Sequence, residues 1–323
     1  MKNKVKKLLK KQHYYVVGEH SAVQICRWTK KSLRDEGVCY KEKFYGIKSS
    51  ECCQMSPSVM WCQNQCLHCW RAIENTLGIK IDEEDSPKEI IEECIKGQRV
   101  LLSGFKGSTK TNKEKWQKAQ NPTQFAISLS GEPTIYSKIA ELIKELRKQG
   151  KSTFLVTNGL KPERLLELEK KKALPTQLYI SLNAPNKKMY GKWHRSSDKK
   201  AWEKFNRSLE IMKKLRKKTR TVVRMTLVKD LNMKQEYVPE YAKLILKAQP
   251  DFVEVKGFMS VGYARKRLGY ERMPSHKEIK EFSKLLLREL KNSGYKFLDE
   301  QIASRVVLLG NRNKSKKIKK GKI

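Results

Sequence analysis

Six of the eight cysteines in this 323-residue chain fall into two regularly spaced sets. Cys62, Cys66 and Cys69 read C-x3-C-x2-C in "CQNQCLHC", and Cys26, Cys39 and Cys52 read C-x12-C-x12-C. Thiols at this density serve disulfides, zinc or iron–sulfur clusters. The N-terminus "MKNKVKKLLKKQHYYVVG" is basic but lacks the apolar stretch of a signal peptide. A reducing, cytoplasmic setting is therefore expected, and disulfides are disfavoured. Structural zinc takes four ligands, usually as two close pairs, and neither set supplies four. His68 could complete a Cys3His set, but its place between two ligands makes that sterically awkward. An electron-transfer [4Fe–4S] cluster also takes four ligands. Three leave one iron open, and an open iron is where a substrate or cofactor binds. Of the remaining cysteines, Cys94 falls in a helical pattern and reads as a small buried hydrophobe. Cys53 reads the same way, or as a competitor of Cys52.

The elements that must position these thiols show a regular alternation. Apolar, β-rich runs occur at 124–130 ("QFAISLS"), 153–158 ("TFLVTN"), 177–183 ("QLYISLN"), 221–228 ("TVVRMTLV") and 252–258 ("FVEVKGF"). Helical patterns occur at 88–97, 135–150, 163–173, 201–218, 237–249 and 276–294, several of them ending at Gly97, Gly150 or Gly294. Strands alternating with helices predict βαβ units and a parallel sheet. A further strand in "MSPSVMW", before Cys62, would bring the units to six. That suits a partial (β/α)6-type barrel, in which sites lie at the C-terminal ends of strands; a doubly wound sheet is the alternative. Polar residues gather where those ends fall: Gly131-Glu132-Pro133-Thr134, Asn158-Gly159, Asn183-Ala184-Pro185 and Asn232. Together on one predicted rim they read as a binding site rather than as four turns.

The net charge is +37, from 71 basic and 34 acidic residues. Residues 1–12 and 311–323 supply 13 of those charges, so the body retains +24. A thermophile-type surface would be closer to balance; this excess points to a polyanion, foremost nucleic acid. No run is long and apolar enough to span a membrane, and no membrane partner is expected.

C-x3-C-x2-C on the loop after a first barrel strand resembles the signature of the radical S-adenosylmethionine (SAM) superfamily. The resemblance implies a [4Fe–4S] cluster on Cys62, Cys66 and Cys69 whose open iron holds SAM. Gly131-Glu132 resembles the "GGE"-type motif that meets the methionine amino group, with Ser130 in place of the first glycine. Asn158, Ser181 and Asn183 stand where relatives hold the SAM carboxylate and ribose, and His68 stands beside the adenine position. The upstream triplet is similar to that of the tRNA 4-demethylwyosine synthases of wybutosine biosynthesis, over essentially the whole chain in the archaeal single-domain form. This implies a lyase that condenses N1-methylguanosine-37 of phenylalanine tRNA with pyruvate. It further implies a second [4Fe–4S] cluster on Cys26, Cys39 and Cys52, pyruvate as co-substrate, and a separate electron donor protein. A lysine is expected to form a Schiff base with pyruvate. Lys41, two residues after Cys39, is the first choice and Lys43 the second.

The implied layout is an N-terminal extension with the second cluster's ligands (1–56), a barrel with C-terminal additions (57–310) and a basic tail (311–323). A monomer is expected. Segments 106–118, 187–202 and 262–272 interleave basic residues with Trp116, Tyr190, Trp193, Trp202, Tyr263 and Tyr270. They are expected to meet the anticodon loop, charge on phosphate and rings on unpaired bases. The rivals fit less well. Methylthiotransferases spread their upstream cysteines further apart, and radical SAM RNA methyltransferases need a cysteine near the C-terminus, whereas none follows Cys94 here. A zinc-dependent RNA-binding module is the rival from outside enzymology.

Overall fold

The computed structural model describes residues 1–311 and 315–318. Ten strands form one sheet. They are β1 (Tyr15–Val17), β2 (Ser21–Gln24), β3 (Cys52–Ser56), β4 (Gln124–Ile127), β5 (Ser152–Thr157), β6 (Gln177–Ser181), β7 (Arg220–Leu227), β8 (Phe252–Gly257), β9 (Tyr295–Gln301) and β10 (Val306–Asn311). β3 to β8 pair in consecutive, parallel order. Consecutive order belongs to barrel-type winding; a doubly wound sheet reverses its order at a switch point. The β1–β2 hairpin joins β3 antiparallel, and β10 with β9 joins β8 antiparallel, so β1 and β9 are the two edges. β3, which carries Cys52, lies within residues 1–56, so that thiol sits in the barrel's own sheet.

Strand alternation sorts the side chains into two cores. One face of the strands, including Cys53, Met55, Phe125, Ile127, Leu155, Ile180, Val223 and Val255, packs against the surrounding helices. The other face includes Phe154, Tyr179, Val222, Phe252, Val306 and Leu308, and it packs on Tyr40, Phe44, Tyr45 and Ile47. Phe154, Val222 and Phe252 lie early in their strands. The short helix Tyr40–Tyr45 therefore plugs the N-terminal end of the barrel and leaves the C-terminal end open. Lys316 pairs with Asp299 at 2.5 Å, and the Arg220 guanidinium binds the Ser315 and Lys316 carbonyls at 2.9 and 2.7 Å. This much of the basic tail lies across the same end; residues 312–314 and 319–323 fall outside the described residues.

Five expected strands agree with the structure to within three residues at either end. The sixth does not: it is β3, not "MSPSVMW". Pro57 has no N–H for a ladder and ends the strand. Gly97 does not stop a helix but lies inside Pro87–Lys106. A Cβ there would come within 2.3 Å of the Tyr15 ring, so glycine permits the β1–β2 hairpin to lie on this helix. The two edge hairpins lack a clean two-residue period and escaped prediction. Phe44 is fully buried, edge-on to Tyr40 and Tyr45. Phe44→Ala should cost about 3–5 kcal/mol in denaturant unfolding; a loss below about 1 kcal/mol would contradict a packed plug.

Candidate functional site

A cavity of about 460 Å³ opens at the C-terminal ends of the parallel strands. Cys26, Cys39, Cys52, Cys62, Cys66 and Cys69 all line it, as do Lys41, His68, Gly131, Glu132, Asn158, Ser181 and Asn183. Apart from Lys43, every residue picked from the sequence as catalytic, cofactor-binding or ligating thus reaches one space. The six thiols are partly accessible, whereas Cys53 and Cys94 are buried in the helix-side core. Alternation decides between Cys52 and Cys53: adjacent strand residues point to opposite faces, and Cys52 takes the cavity. All eight cysteines are free thiols. Among the described residues, no three His, Cys, Asp or Glu side chains converge on the single point that one metal ion would need.

Close approach of backbones shapes the half of the cavity around Cys62, Cys66 and Cys69. Gly131 has φ +71, and a Cβ there would lie 1.8 Å from the Ser58 carbonyl oxygen. The Glu132 N–H donates to the Trp61 carbonyl at 2.8 Å, and the Ser58 hydroxyl donates to the Glu132 carbonyl at 2.6 Å. The rim after β4 is thereby fastened to the segment that delivers Cys62. The Glu132 side chain is turned into protein. It accepts from the Thr134 N–H and hydroxyl at 3.1 and 2.6 Å, the Thr157 hydroxyl at 2.6 Å and the Asn158 N–H at 2.7 Å. Burial raises its carboxyl above the ordinary range, against these four donors. Asn158 accepts from the Leu160 N–H at 2.9 Å, a turn-forming contact, and donates to Gln63 at 3.1 Å. Asn183 accepts from the Thr226 N–H at 2.8 Å, and its amide lies 3.4 Å from His68 Nε2. His68 stacks on Trp193, with ring centroids 5.3 Å apart. Burial and then the Arg267 guanidinium hold its pKa down to about 4, so the ring is neutral at physiological pH.

Several residues here escaped the sequence reading. Arg71, two residues beyond Cys69, is 3% exposed, and among the described residues its Nε and Nη1 have no hydrogen-bond partner. Burial works against its charge, but the thiols of Cys62, Cys69 and Cys66 raise its pKa. Arg267 donates to the carbonyls of Leu67 and Arg71 at 3.2 Å, to the Cys69 carbonyl, and to Glu74. From the other side, the Trp193 and His194 carbonyls accept from the Leu67 and Gln65 N–H groups at 3.1 and 2.9 Å. His194 Nδ1 lies 3.0 Å from the Cys66 sulfur. These contacts correct the expectation for two basic segments. Tyr190 and Trp193 are 3% and 1% exposed and cannot stack on RNA as they stand. Within 187–202 and 262–272, Trp193, His194 and Arg267 instead grip the cysteine loop. Tyr270, 63% exposed, still faces solvent.

The half around Cys26, Cys39 and Cys52 rests on the plug. Cys39 is the N-cap of the helix Tyr40–Tyr45, which carries Lys41 two residues after it. Lys41 Nζ lies over the Phe154 and Tyr179 rings, at 5.2 and 5.1 Å from their centroids. Burial lowers its pKa and the Arg224 guanidinium lowers it further, against the neighbouring thiols and Glu254. Arg224 Nε donates to Glu254 at 2.8 Å, and Glu254 also accepts from the Tyr40 and Tyr45 hydroxyls at 3.0 and 2.8 Å. Burial works to raise the Glu254 carboxyl, but Arg224 and Lys41 hold it below the ordinary range. Lys256 completes the wall, its pKa brought down to about 8 chiefly by burial. Lys43, the second choice for a Schiff base, points elsewhere: it pairs with Asp299 at 3.0 Å and does not line the cavity. Arg224, Glu254 and Lys256 sit at inward positions of buried strands, a signal that was legible in "TVVRMTLV" and "FVEVKGF".

Residues 57–245 match the radical SAM superfamily, and residues 247–311 match a family described as wyosine base formation. An S-adenosyl-L-methionine-dependent tRNA 4-demethylwyosine synthase from Pyrococcus horikoshii is 50% identical over 311 residues, covering 96% of this chain and 89% of the relative. The enzyme of that name from Methanocaldococcus jannaschii is 38% identical, covering 95% and 96%. A solved structure of TYW1 with a lysine–pyruvate adduct bound superposes with a TM-score of 0.86 at 36% identity, covering 98% of this chain and 99% of that one. Gly131→Ala should break the joint between the rim and the cysteine loop. Equilibrium dialysis after anaerobic iron–sulfide reconstitution should show SAM binding weakened at least tenfold; unchanged binding would show that the close approach is dispensable.

Proposed function

The chain belongs to the radical SAM superfamily and, within it, to the tRNA 4-demethylwyosine synthases, and from that premise we propose how its cavity joins N1-methylguanosine-37 of phenylalanine tRNA to pyruvate. Membership implies a [4Fe–4S] cluster and SAM. Cys62, Cys66 and Cys69 would hold that cluster. The donor set fits: three partly accessible thiols line one wall, and beside them buried Arg71 has two nitrogens without a hydrogen-bond partner among the described residues. Cys26, Cys39 and Cys52 would hold a second cluster across the same cavity. The chemistry that SAM and its cluster supply when bound is removal of a hydrogen atom from the N1-methyl group.

The protein's own residues then have distinct tasks. The Ser130-Gly131 backbone, Asn158, Ser181 and Asn183 orient SAM, and His68, braced by Trp193, lies beside its adenine. Glu132 acts through the rim it ties together, because its oxygens are already taken by four donors. Lys41 is the catalytic amine: it condenses with the keto carbon of pyruvate, releasing water, and holds that carbon for the methyl-derived carbon. The C1–C2 bond then breaks, the carboxylate leaving with the unpaired electron, and the guanine N2 amine adds to the former keto carbon, displacing the lysine amine and closing the tricyclic base. A lowered amine pKa increases the fraction of free base at neutral pH. The target base leaves its stack to enter the cavity, and the basic surface holds the tRNA backbone. The electron comes from a separate donor protein, and the enzyme acts as a monomer.

One observation carries this reading: both thiol triplets and Lys41 line a single cavity at the C-terminal end of the parallel strands. The test is an anaerobic assay with N1-methylated tRNA, SAM and pyruvate, read by nucleoside mass spectrometry. Wild type should yield 4-demethylwyosine only when all three are present; no such product would overturn the reading. Lys41→Ala should keep its iron and still cleave SAM, yet lose the product at least a hundredfold. Undiminished product would remove the Schiff-base role.

A further inference from the structure

The second half of the cavity holds three basic side chains whose donors are not all used among the described residues. Lys41, Arg224 and Lys256 line it, and the Glu254 carboxylate, which does not reach the cavity, is fully buried against Arg224. Glu254 is already committed to Tyr40, Tyr45 and Arg224 Nε. Lys256 has the Ser304 carbonyl at 3.1 Å. The other two cations are less provided for. Among the described residues, Lys41 Nζ has no hydrogen-bond acceptor, only the faces of two rings. Arg224 has no acceptor beyond Glu254, and its Nη2 is buried without one. Both cations lie over one ring: Arg224 Cζ is 4.5 Å and Lys41 Nζ 5.1 Å from the centroid of Tyr179. A buried guanidinium nitrogen without an acceptor is costly unless a ligand supplies one.

The shape of the free donors says which anion. A guanidinium held at Nε presents its outer edge as a planar fork, which matches a carboxylate. Glu254 fixes the orientation of that fork from below, and the strand register fixes its height: on β7, Arg224 lies between Val222, which packs with the plug, and Thr226 on the cavity wall. A ligand with a carboxylate at one end and an electrophilic carbon next to it would bridge the fork and the Lys41 amine. A short 2-keto acid has that form.

We propose that Arg224 is the carboxylate anchor for the keto acid, turning its C2 carbon toward Lys41 and selecting 2-keto acids over neutral ketones. This rests on the reading of Lys41 as the Schiff-base residue. The lysine amine adds to C2 and one water leaves, giving an imine; cyanoborohydride then reduces the C=N bond to a stable secondary amine. Neither tRNA nor SAM is needed for that trapping.

The experiment titrates pyruvate, or its uncharged methyl ester, into reconstituted protein with cyanoborohydride and follows modified Lys41 by peptide mass spectrometry. Wild type should reach half-saturation with pyruvate at a concentration at least tenfold below that for methyl pyruvate. Arg224→Met should raise the pyruvate value at least tenfold and leave the methyl pyruvate value within twofold; Arg224→Lys should recover part of the difference. Equal half-saturation for acid and ester in wild type overturns the proposal without any variant, which covers the case that Arg224→Met does not fold. A parallel loss of both ketones together with iron from Arg224→Met also overturns it, because the guanidinium would then serve the cluster or the packing. No Lys41 adduct in wild type with either ketone would instead remove the Schiff-base reading on which the proposal stands.

Discussion

The helix Tyr40–Tyr45 fills the N-terminal end of the barrel with aromatic rings, and the cavity above takes its floor from that plug. Phe44 and Tyr45 are fully buried against inward residues of β5, β7, β8 and β10, so the helix has little freedom to move. Its first residues inherit that rigidity. Cys39 caps it, Tyr40 binds Glu254, and Lys41 projects over Phe154 and Tyr179. A thiol and an amine are therefore set at a fixed height inside the barrel by packing rather than by a loop. This is the preorganisation that a reactive carbon intermediate needs, because a misplaced partner lets it react elsewhere.

The opposite wall is held differently. The loop bearing Cys62, Cys66 and Cys69 has almost no regular structure of its own. Its backbone groups are taken up by other parts of the chain: carbonyls of Trp193 and His194 on one side, the Arg267 guanidinium on the other, and the Gly131 rim beneath. Charge works in the same direction. Buried Arg71 sits by the three thiols, and three thiolates with their irons would supply the negative charge it lacks. Two modes of support thus meet in one cavity, a packed floor for one thiol set and a clamped loop for the other.

The parallel core and the thiol sets were legible in the sequence because each leaves a periodic mark. The apolar runs give the strands, and the cysteine spacings stand out against any helical or strand period. Cys52 against Cys53 could not be settled by spacing, since only the face of β3 decides it. β3 itself was misplaced by a few residues, because "MSPSVMW" is apolar enough to look like strand while Pro57 forbids its ladder. The edge hairpins were missed for want of period. The aromatic residues of 187–202 were misjudged for a different reason: sequence shows a ring beside a charge but not which way it faces, and Tyr190 and Trp193 face inward. Arg224 and Lys256 lay in plain view, as charges at alternating positions of buried strands. Such a charge needs a partner in the interior, and reading it that way would have found them.

The proposed assignment is that one cavity holds two three-thiolate clusters, each with its own structural support. Iron content and Mössbauer spectra after anaerobic reconstitution test it most directly. Wild type should carry about eight irons per chain, as two four-iron clusters require. Replacing Cys26, Cys39 and Cys52 with alanine should leave about four, and so should replacing Cys62, Cys66 and Cys69. Stoichiometric zinc without iron, or loss of all iron from either triple variant, would contradict the account.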